Sequence, residues 1–369
     1  MIRIAVLERG PGLLTKHFLG PMRVVKELCT QWENNNKVRV IPLSNFITNL
    51  LQFRYENQLV FVRNLRHFLM TLKAKSCQFD IMNIHGVSEI GAKIAELCRR
   101  RKIPVVYTAH DAAYKEKELG YKYDERFVIQ EERLVNLANK IIAVSPEVKK
   151  LIMCKYHLPN NKVEVIYNGI DPNFARRRFR KINIRKKYGI PENAKLILNI
   201  GGTRTVKDIP FLVESLSLLK RNDWHLVVIG GKGEKHDDVI RFCDEKIGGY
   251  YTFTGIIPET DLLNFYNDAT LYVTSSMHEG FGLTPLEAMC FGIPVAIRSS
   301  IPVANLFLRY SEMRKSIFST QQELADIVNF YLSEGKRGIN LKIYNKIIRE
   351  NTWQRRANDY LKIFEQLIV

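Results

Sequence analysis

The sequence has no apolar run that approaches the roughly 18–20 residues of a membrane-spanning helix. Its first residues, Met1–Leu7, follow the pattern of a buried strand, so we expect no signal peptide ahead of the fold. The cysteines have no CxxC spacing and no matching histidines, which argues against a zinc site and a disulfide framework and favours the reducing cytoplasm. They are Cys29, Cys77, Cys98, Cys154, Cys243 and Cys290.

Several short catalytic motifs are also absent. The chain has no GxxxxGK followed by Ser or Thr, no GxSxG, no HExxH, and no GxGxxG between a predicted strand and a helix. These absences argue against P-loop nucleotide hydrolysis, α/β-hydrolase chemistry and zinc proteolysis.

Acidic residues are scarce beside basic ones, with 38 Asp and Glu against 56 Lys and Arg and a net charge of +18. Such a charge suits phosphorylated substrates, anionic lipid surfaces or nucleic acid. The cations cluster at residues 99–102, 176–181 and 185–187. Over residues 61–75 they alternate with apolar residues at helical spacing, which predicts either a membrane-binding face or a solvated helix packed on the core. Nucleic acid is not an expected partner, because RNP, zinc-finger and recognition-helix patterns are absent.

Strand-like and helix-like segments alternate along the whole chain, which predicts an α/β protein with parallel, doubly wound sheets. The predicted strands cover residues 2–7, 38–42, 81–84, 105–108, 141–144, 163–166, 196–200, 224–229, 251–254, 271–274 and 294–297. Two similar domains are expected, 1–172 and 173–350. Ligands of open parallel sheets bind beyond the carboxyl ends of the strands, so we expect the ligand in a cleft between these domains.

The stretch His278–Glu287 carries the strongest functional signal. The predicted buried strand 271–274 enters a turn in which Gly280 and Gly282 let bare backbone approach a ligand.

A helix is predicted to begin at the end of this stretch. Thr284, Pro285 and Glu287 have the N-cap, N1 and N3 spacing of a capping box, and a helix N-terminus favours an anion. Glu279 and Glu287 could then hold hydroxyls on either side of that anion, which is the layout of a sugar joined to a nucleotide by a diphosphate. The alternative is that Glu287 only closes the capping box and Glu279 is a solvated loop acid.

A second candidate segment follows the strand 196–200. Gly202 offers bare backbone, and Arg204 and Lys207 could neutralise a diphosphate without a metal. The alternative is two surface cations at a turn.

Two histidines follow predicted strands of the first domain. His110 could bind an acceptor or handle a proton, or it could be a polar loop residue with backbone hydrogen bonds. His85 is a weaker candidate of the same kind.

Together these segments resemble the retaining GT-B glycosyltransferases of the family 4 type, over nearly the whole chain. The Glu279–Glu287 segment resembles their E-x7-E signature and is the most specific match. Gly20–Leu28 resembles their glycine loop and first helix, Phe79–His85 a strand motif, and Val106–Asp111 the segment ending in their acceptor-side histidine. The resemblance implies two Rossmann-like domains facing a central cleft, with a C-terminal helix at 351–369 packing back on the first domain.

The resemblance also implies a function, namely transfer of a sugar from a nucleotide-diphosphate donor, UDP- or GDP-linked, with retention of configuration. No metal or other cofactor is expected. The expected acceptor is a glycan, a lipid-linked molecule or a small molecule in cell-surface glycan synthesis. The basic clusters would hold the enzyme on the cytoplasmic face of an anionic membrane.

Residue roles follow from the resemblance as well. Glu287 would bind the donor ribose, Glu279 and the N–H groups of 280–282 the transferred sugar, and Arg204 and Lys207 the leaving diphosphate. The expected donor-binding residues are Gly20, Gly202, Arg204, Lys207, Glu279, Gly280, Phe281, Gly282, Leu283, Thr284 and Glu287. The expected catalytic residues are His110, Lys207, Arg204 and Glu279, and the acceptor-binding residues are His85 and His110. The carboxylate-pair logic of glycosidases is not expected to apply.

The chain departs from the family pattern at three places. Pro21 replaces a second glycine, Arg204 lies unusually close to Lys207, and Val303 stands where a glutamate is frequent. Two alternatives stay open: a nucleotide-sugar epimerase or phosphorylase on the same fold, and a basic nucleic-acid-binding protein.

Overall fold

The computed structural model describes residues 1–8, 20–35, 37–43, 76–120 and 124–368. The chain forms two compact units, Met1–Gly169 with Trp353–Val369, and Ile170–Thr352. The domain boundaries predicted from the sequence lie after residues 172 and 350. The basic segment 61–75 lies outside the described residues.

Strands and helices alternate through both units. The strands are β1 (Ile2–Glu8), β2 (Val38–Pro42), β3 (Ile81–His85), β4 (Val105–Ala109), β5 (Lys140–Ala143), β6 (Val163–Val165), β7 (Lys195–Ile200), β8 (Trp224–Ile229), β9 (Tyr251–Gly255), β10 (Leu271–Thr274), β11 (Val295–Arg298) and β12 (Ile317–Phe318). The α-helices are α1 (Gly20–Glu33), α2 (Glu89–Arg100), α3 (Ala113–Glu118), α4 (Glu125–Leu137), α5 (Pro146–Tyr156), α6 (Ile184–Tyr188), α7 (Ile209–Ser217), α8 (His236–Ile247), α9 (Glu259–Asp268), α10 (Thr284–Cys290), α11 (Val303–Phe307), α12 (Gln321–Glu334), α13 (Leu341–Glu350) and α14 (Trp353–Ile368). Short 3-10 helices include Thr205–Lys207.

The N-terminal unit has a parallel sheet in the order β2-β1-β3-β4-β5-β6. Every residue of β3 and β4 is buried, as expected for central strands covered on both faces. The C-terminal helix α14 packs on α1 of this unit. Trp32 of α1 meets Tyr360 and Phe364 of α14 at ring-centroid distances of 5.8 and 5.6 Å. The prediction that this helix returns to the first domain is therefore confirmed.

The C-terminal unit has a second parallel sheet, in the order β12-β11-β10-β7-β8-β9. Its core is formed by apolar residues of the strands and of α7, α8 and α12, including Leu212, Leu226 and Val273. With these two sheets the predicted fold class, two doubly wound α/β domains, is confirmed. None of the helices among the described residues is long and apolar enough to cross a membrane.

Candidate active site

The C-terminal unit has a topological switch point between β7 and β10. Chain order runs outward from this pair, to β8 and β9 on one side and to β11 and β12 on the other. In open α/β sheets the crevice beyond the carboxyl ends of such a strand pair is where ligands bind. The loops after β7 and β10 carry the predicted Gly202–Lys207 and Glu279–Glu287 segments, so both lie at this crevice.

An ion pair joins these two loops. Lys207 Nζ lies 2.5 Å from Glu279 Oε1, and the Ser276 hydroxyl donates to the same oxygen at 2.9 Å. The Lys207 side chain is 9% exposed and that of Glu279 is 25% exposed. The structure therefore brings together two of the predicted site residues, within a polar cluster that is largely closed to water.

The backbone also fixes this arrangement. The Ser275 hydroxyl donates to the carbonyl oxygen of Lys207 at 2.9 Å, and the Met277 N–H donates to the carbonyl oxygen of Val206 at 2.8 Å. Both bonds connect the loop after β7 to the loop after β10. These two hydrogen bonds between the loops hold the backbone near Lys207 and Glu279 in place, and so position the ion pair.

The charge of Glu279 is stabilised in place. Burial alone would raise the pKa of this carboxyl, but the Lys207 charge, hydrogen bonds from Lys207 and Ser276, and the charge of Arg204 outweigh it and lower the pKa. Glu279 is therefore a carboxylate at neutral pH. It can accept hydrogen bonds from hydroxyls, and it is poorly suited to act as a general acid.

Glycines allow the loops after β7 and β8 to touch. Gly202 has φ +70°, and a Cβ there would lie 2.1 Å from the carbonyl oxygen of Gly231. Gly201 has φ +152°, and a Cβ there would lie 2.7 Å from the side chain of Lys207. Any larger residue at either position would displace the loop that holds the lysine.

Glu287 hydrogen-bonds a tyrosine and does not form the capping box that the sequence predicts. It is 4% exposed, and its Oε2 accepts a hydrogen bond from the Tyr266 hydroxyl at 2.8 Å. The predicted capping box at Thr284 is wrong, because the N-cap of α10 is Leu283 and no side chain caps the helix. The Thr284 hydroxyl instead accepts from the Tyr272 hydroxyl at 2.6 Å.

Glu287 has no capping role, because no side chain caps α10. The alternative that Glu287 only closes a capping box is therefore wrong. Helix α10 is also only seven residues long, so its dipole contributes little, and the positive charge of the site comes chiefly from Lys207 and Arg204.

The glycine turn before α10 is tightly packed. Gly282 has φ +93°, and a Cβ there would lie 2.9 Å from Ile301 and 3.2 Å from Val303. The Val303 N–H donates to the carbonyl oxygen of Phe281 at 3.0 Å. Val303, the residue that departs from the family pattern, is therefore buried against this turn. Gly280 shows no left-handed backbone.

The two candidate histidines lie together in the N-terminal unit. His85 ends β3 and His110 follows β4, and His85 Nδ1 lies 3.1 Å from His110 Nε2. Burial lowers the pKa of His110 to about 4, and burial and the charge of His110 lower that of His85. Both rings are therefore neutral at neutral pH. Gly20, expected in a glycine loop, is the first residue of α1.

The sequence patterns missed several residues that support the site. Ser276 and Tyr266 hydrogen-bond the two predicted glutamates, and Arg298 donates to Asp208, the N-cap of α7, at 2.6 Å. Ser276 could have been found from its position two residues after β10. Tyr266 lies in a helix distant in sequence, and nothing in the pattern points to it.

Two family models match consecutive parts of the chain. The Glycosyltransferase Family 4 model matches residues 20–174, and the Glycosyl transferases group 1 model matches residues 180–349.

Curated relatives are 24–29% identical to the chain over the segments that align. It is 29% identical over 230 residues to an uncharacterized glycosyltransferase of Methanocaldococcus jannaschii, covering 60% of this chain and 58% of the relative. It is 26% identical over 291 residues to mannosylfructose-phosphate synthase of Agrobacterium fabrum, covering 70% and 61%. It is 24% identical over 303 residues to the O-antigen biosynthesis glycosyltransferase WclY of Escherichia coli, covering 80% and 82%. The chain thus spans less than two thirds of the first two relatives.

Solved structures match the fold over its full length. Sucrose-phosphate synthase from Thermosynechococcus elongatus has a TM-score of 0.75 at 16% identity, covering 100% of this chain and 99% of that one. The Anabaena HepE protein, in a complex with UDP and glucose, has a TM-score of 0.73 at 15% identity, covering 99% and 100%. The two sheets and these neighbours define the GT-B fold. Within that fold, the chain belongs to the family 4 glycosyltransferases.

Proposed function

We propose that the protein transfers a sugar from a nucleotide-diphosphate donor to a hydroxyl of an acceptor. The observation that carries this proposal is the Lys207–Glu279 ion pair at the switch point of the C-terminal sheet. One cation and one carboxylate at a single crevice suit a ligand that is anionic at one end and rich in hydroxyls at the other. The Anabaena neighbour in complex with UDP and glucose supports the same class of ligand.

In this proposal Lys207 and Arg204 stabilise the diphosphate as it leaves. An ammonium has three donors, and the hydrogen bond from Lys207 to Glu279 leaves the others for phosphate oxygens. Cations fixed in a site with little water stabilise developing charge without reorganising, which lowers the barrier. We expect no metal to be needed for this step.

Glu279 and Glu287 would bind the donor's hydroxyls. Glu279 would hold the transferred sugar together with the N–H groups of residues 280–282, and Glu287 would hold the ribose. The Tyr266 hydroxyl, bonded to Glu287 Oε2, would fix the direction in which the other oxygen points. The N–H groups of Leu283 and Thr284 would contact the distal phosphate.

Retention of configuration is part of the proposal. It is supported by the resemblance of the Glu279–Glu287 segment to the signature of retaining enzymes. His85 and His110 would bind the acceptor.

We further propose a role in cell-surface glycan synthesis at the cytoplasmic face of a membrane. The similarity to WclY, an O-antigen biosynthesis glycosyltransferase, supports the glycan class. Residues 99–102 are all exposed and form a basic surface. In the other basic stretch, Arg177, Arg185 and Lys187 are ion-paired with acids. Flotation with anionic and neutral liposomes tests this proposal, which fails if neither binds.

A thermal-shift screen of UDP-, GDP- and ADP-sugars tests the proposed function, because a ligand that binds the native state raises the melting temperature. We expect one donor to raise it and Glu287→Ala to abolish that shift. Product analysis with the selected donor then separates transfer to an acceptor from epimerisation or phosphorolysis. Oligonucleotide binding with no response to any nucleotide sugar would instead favour the nucleic-acid alternative.

A further inference from the structure

A run of hydrogen-bonded side chains connects the C-terminal helix to His110 within the N-terminal unit. The hydroxyl of Tyr360 in α14 hydrogen-bonds Thr108 of β4. The Thr108 hydroxyl donates to Asn83 Oδ1 at 3.0 Å, and Asn83 Nδ2 lies 2.8 Å from His85 Nε2. His85 Nδ1 lies 3.1 Å from His110 Nε2.

The donor and the acceptor can be assigned in each of these hydrogen bonds. Asn83 Oδ1 accepts from Thr108, so its amide nitrogen faces His85 and donates to Nε2. A neutral imidazole that accepts at Nε2 carries its proton on Nδ1, so His85 donates from Nδ1 to His110. His110 then accepts at Nε2, and its own proton is on Nδ1.

Burial keeps both rings in the neutral form that this argument requires. His85 is 2% exposed, and its ring stacks on that of His110 at 5.3 Å and on that of Tyr360 at 6.3 Å. The pKa of each histidine lies below its usual value because of this burial. The two stacked rings also restrict rotation of the His85 imidazole, so its two nitrogens cannot easily exchange places.

We propose that Asn83 and His85 are positioning residues that hold His110 in the Nδ1–H tautomer. His110 then meets its ligand as a hydrogen-bond donor from Nδ1, while Nε2 is occupied and cannot take a proton from an attacking hydroxyl. The ligand atom that fits is an acceptor oxygen, such as a sugar hydroxyl oxygen or a phosphate oxygen. This inference rests on the proposed function only in assigning His110 a substrate.

Long-range proton–nitrogen correlation spectra of the full chain with ¹⁵N-labelled histidine test the proposal directly. The chain has eight histidines, and the signals missing in His110→Gln identify His110. Near neutral pH we expect the proton of His110 on Nδ1 and that of His85 on Nδ1. A proton on Nε2 of His110 overturns the proposal.

Variants test the role of Asn83. Asn83→Leu removes the donor to His85, and we expect His110 to populate both tautomers. Asn199→Leu, which changes a buried asparagine in the C-terminal unit, is the matched control and leaves the His110 signals unchanged. Unchanged His110 signals in Asn83→Leu would contradict the proposal. Because no sugar is present, a wrong tautomer overturns this inference alone, and failure of all nucleotide sugars in the donor screen overturns the proposed function alone.

Discussion

Lys207 Nζ lies 2.5 Å from Glu279 Oε1, across the loops that follow the two central strands of the C-terminal sheet. Neither group is fully exposed, and each compensates the charge of the other. A ligand that takes up hydrogen bonds from both can enter without leaving either charge unpaired. The same ion pair therefore contributes both to the stability of this unit and to the binding of its ligand.

Removing one partner should cost stability. Lys207→Met removes the ammonium that is paired with Glu279, and we expect the free energy of unfolding to fall by about 1–3 kcal/mol, less than for a fully buried pair because Glu279 is 25% exposed. Adding Glu279→Gln should recover most of this loss in urea denaturation. Lys195→Met, which breaks an exposed pair with Asp223, should cost less than about 1 kcal/mol. A double variant less stable than Lys207→Met would contradict the argument.

The glycine contact between the loops gives a steric prediction. Gly202→Ala places a Cβ 2.1 Å from a backbone oxygen, so we expect loss of stability together with loss of donor binding. Gly249→Ala is the matched control, because Gly249 also has a left-handed backbone, φ +65°, but no atom within 4 Å of an added Cβ. It should cost only about 1–2 kcal/mol of backbone strain. Equal losses in the two variants, measured by thermal unfolding, would show that the loop contact is unimportant.

The hydroxyl of Tyr266 should affect donor affinity. Tyr266→Phe removes this hydrogen bond to Glu287 Oε2, and we expect the dissociation constant of the donor to rise about tenfold, which corresponds to about 1.4 kcal/mol. Tyr331→Phe removes a similarly buried hydroxyl that bonds Ser316 elsewhere in the same unit. Calorimetric titration should find the control unchanged, and an unchanged Tyr266→Phe would remove the proposed role of this bond.

His110 should make stability depend on pH. Its pKa is lowered from 6.5 to about 4 by burial, so between these values the unfolded chain binds a proton that the native state does not. Stability therefore falls as pH falls from about 6.5 to 4, by about 1–2 kcal/mol after allowance for partial exposure. Urea denaturation across this range should give a shallower dependence for His110→Gln. If the free energy of unfolding changes equally with pH in the two proteins, the lowered pKa of His110 is contradicted.

Much of the fold follows from the sequence, because most of the strands are short apolar runs that alternate with helical patterns. The strands 38–42, 224–229 and 271–274 have the predicted bounds. Helices α8 and α13 were not predicted, although Tyr344, Ile347 and Ile348 of α13 are buried at helical spacing.

The site was predictable only where strand ends bring residues together. Lys207 and Glu279 follow neighbouring strands, so their meeting could be expected from topology. The bond from Tyr266 to Glu287 depends on how α9 packs, and the relay through Asn83 depends on side-chain geometry in a buried strand. The prediction of a capping box at Thr284 was wrong because the Thr284 hydroxyl hydrogen-bonds Tyr272 instead.

The central claim is that Lys207 binds the diphosphate of a nucleotide sugar. Calorimetry with the nucleoside monophosphate and diphosphate of the donor found in the screen tests it most directly. The wild-type protein should bind the diphosphate at least about tenfold more tightly, Lys195→Met should keep that preference, and Lys207→Met should lose it. A Lys207→Met protein that folds and still prefers the diphosphate by the same factor would contradict the account.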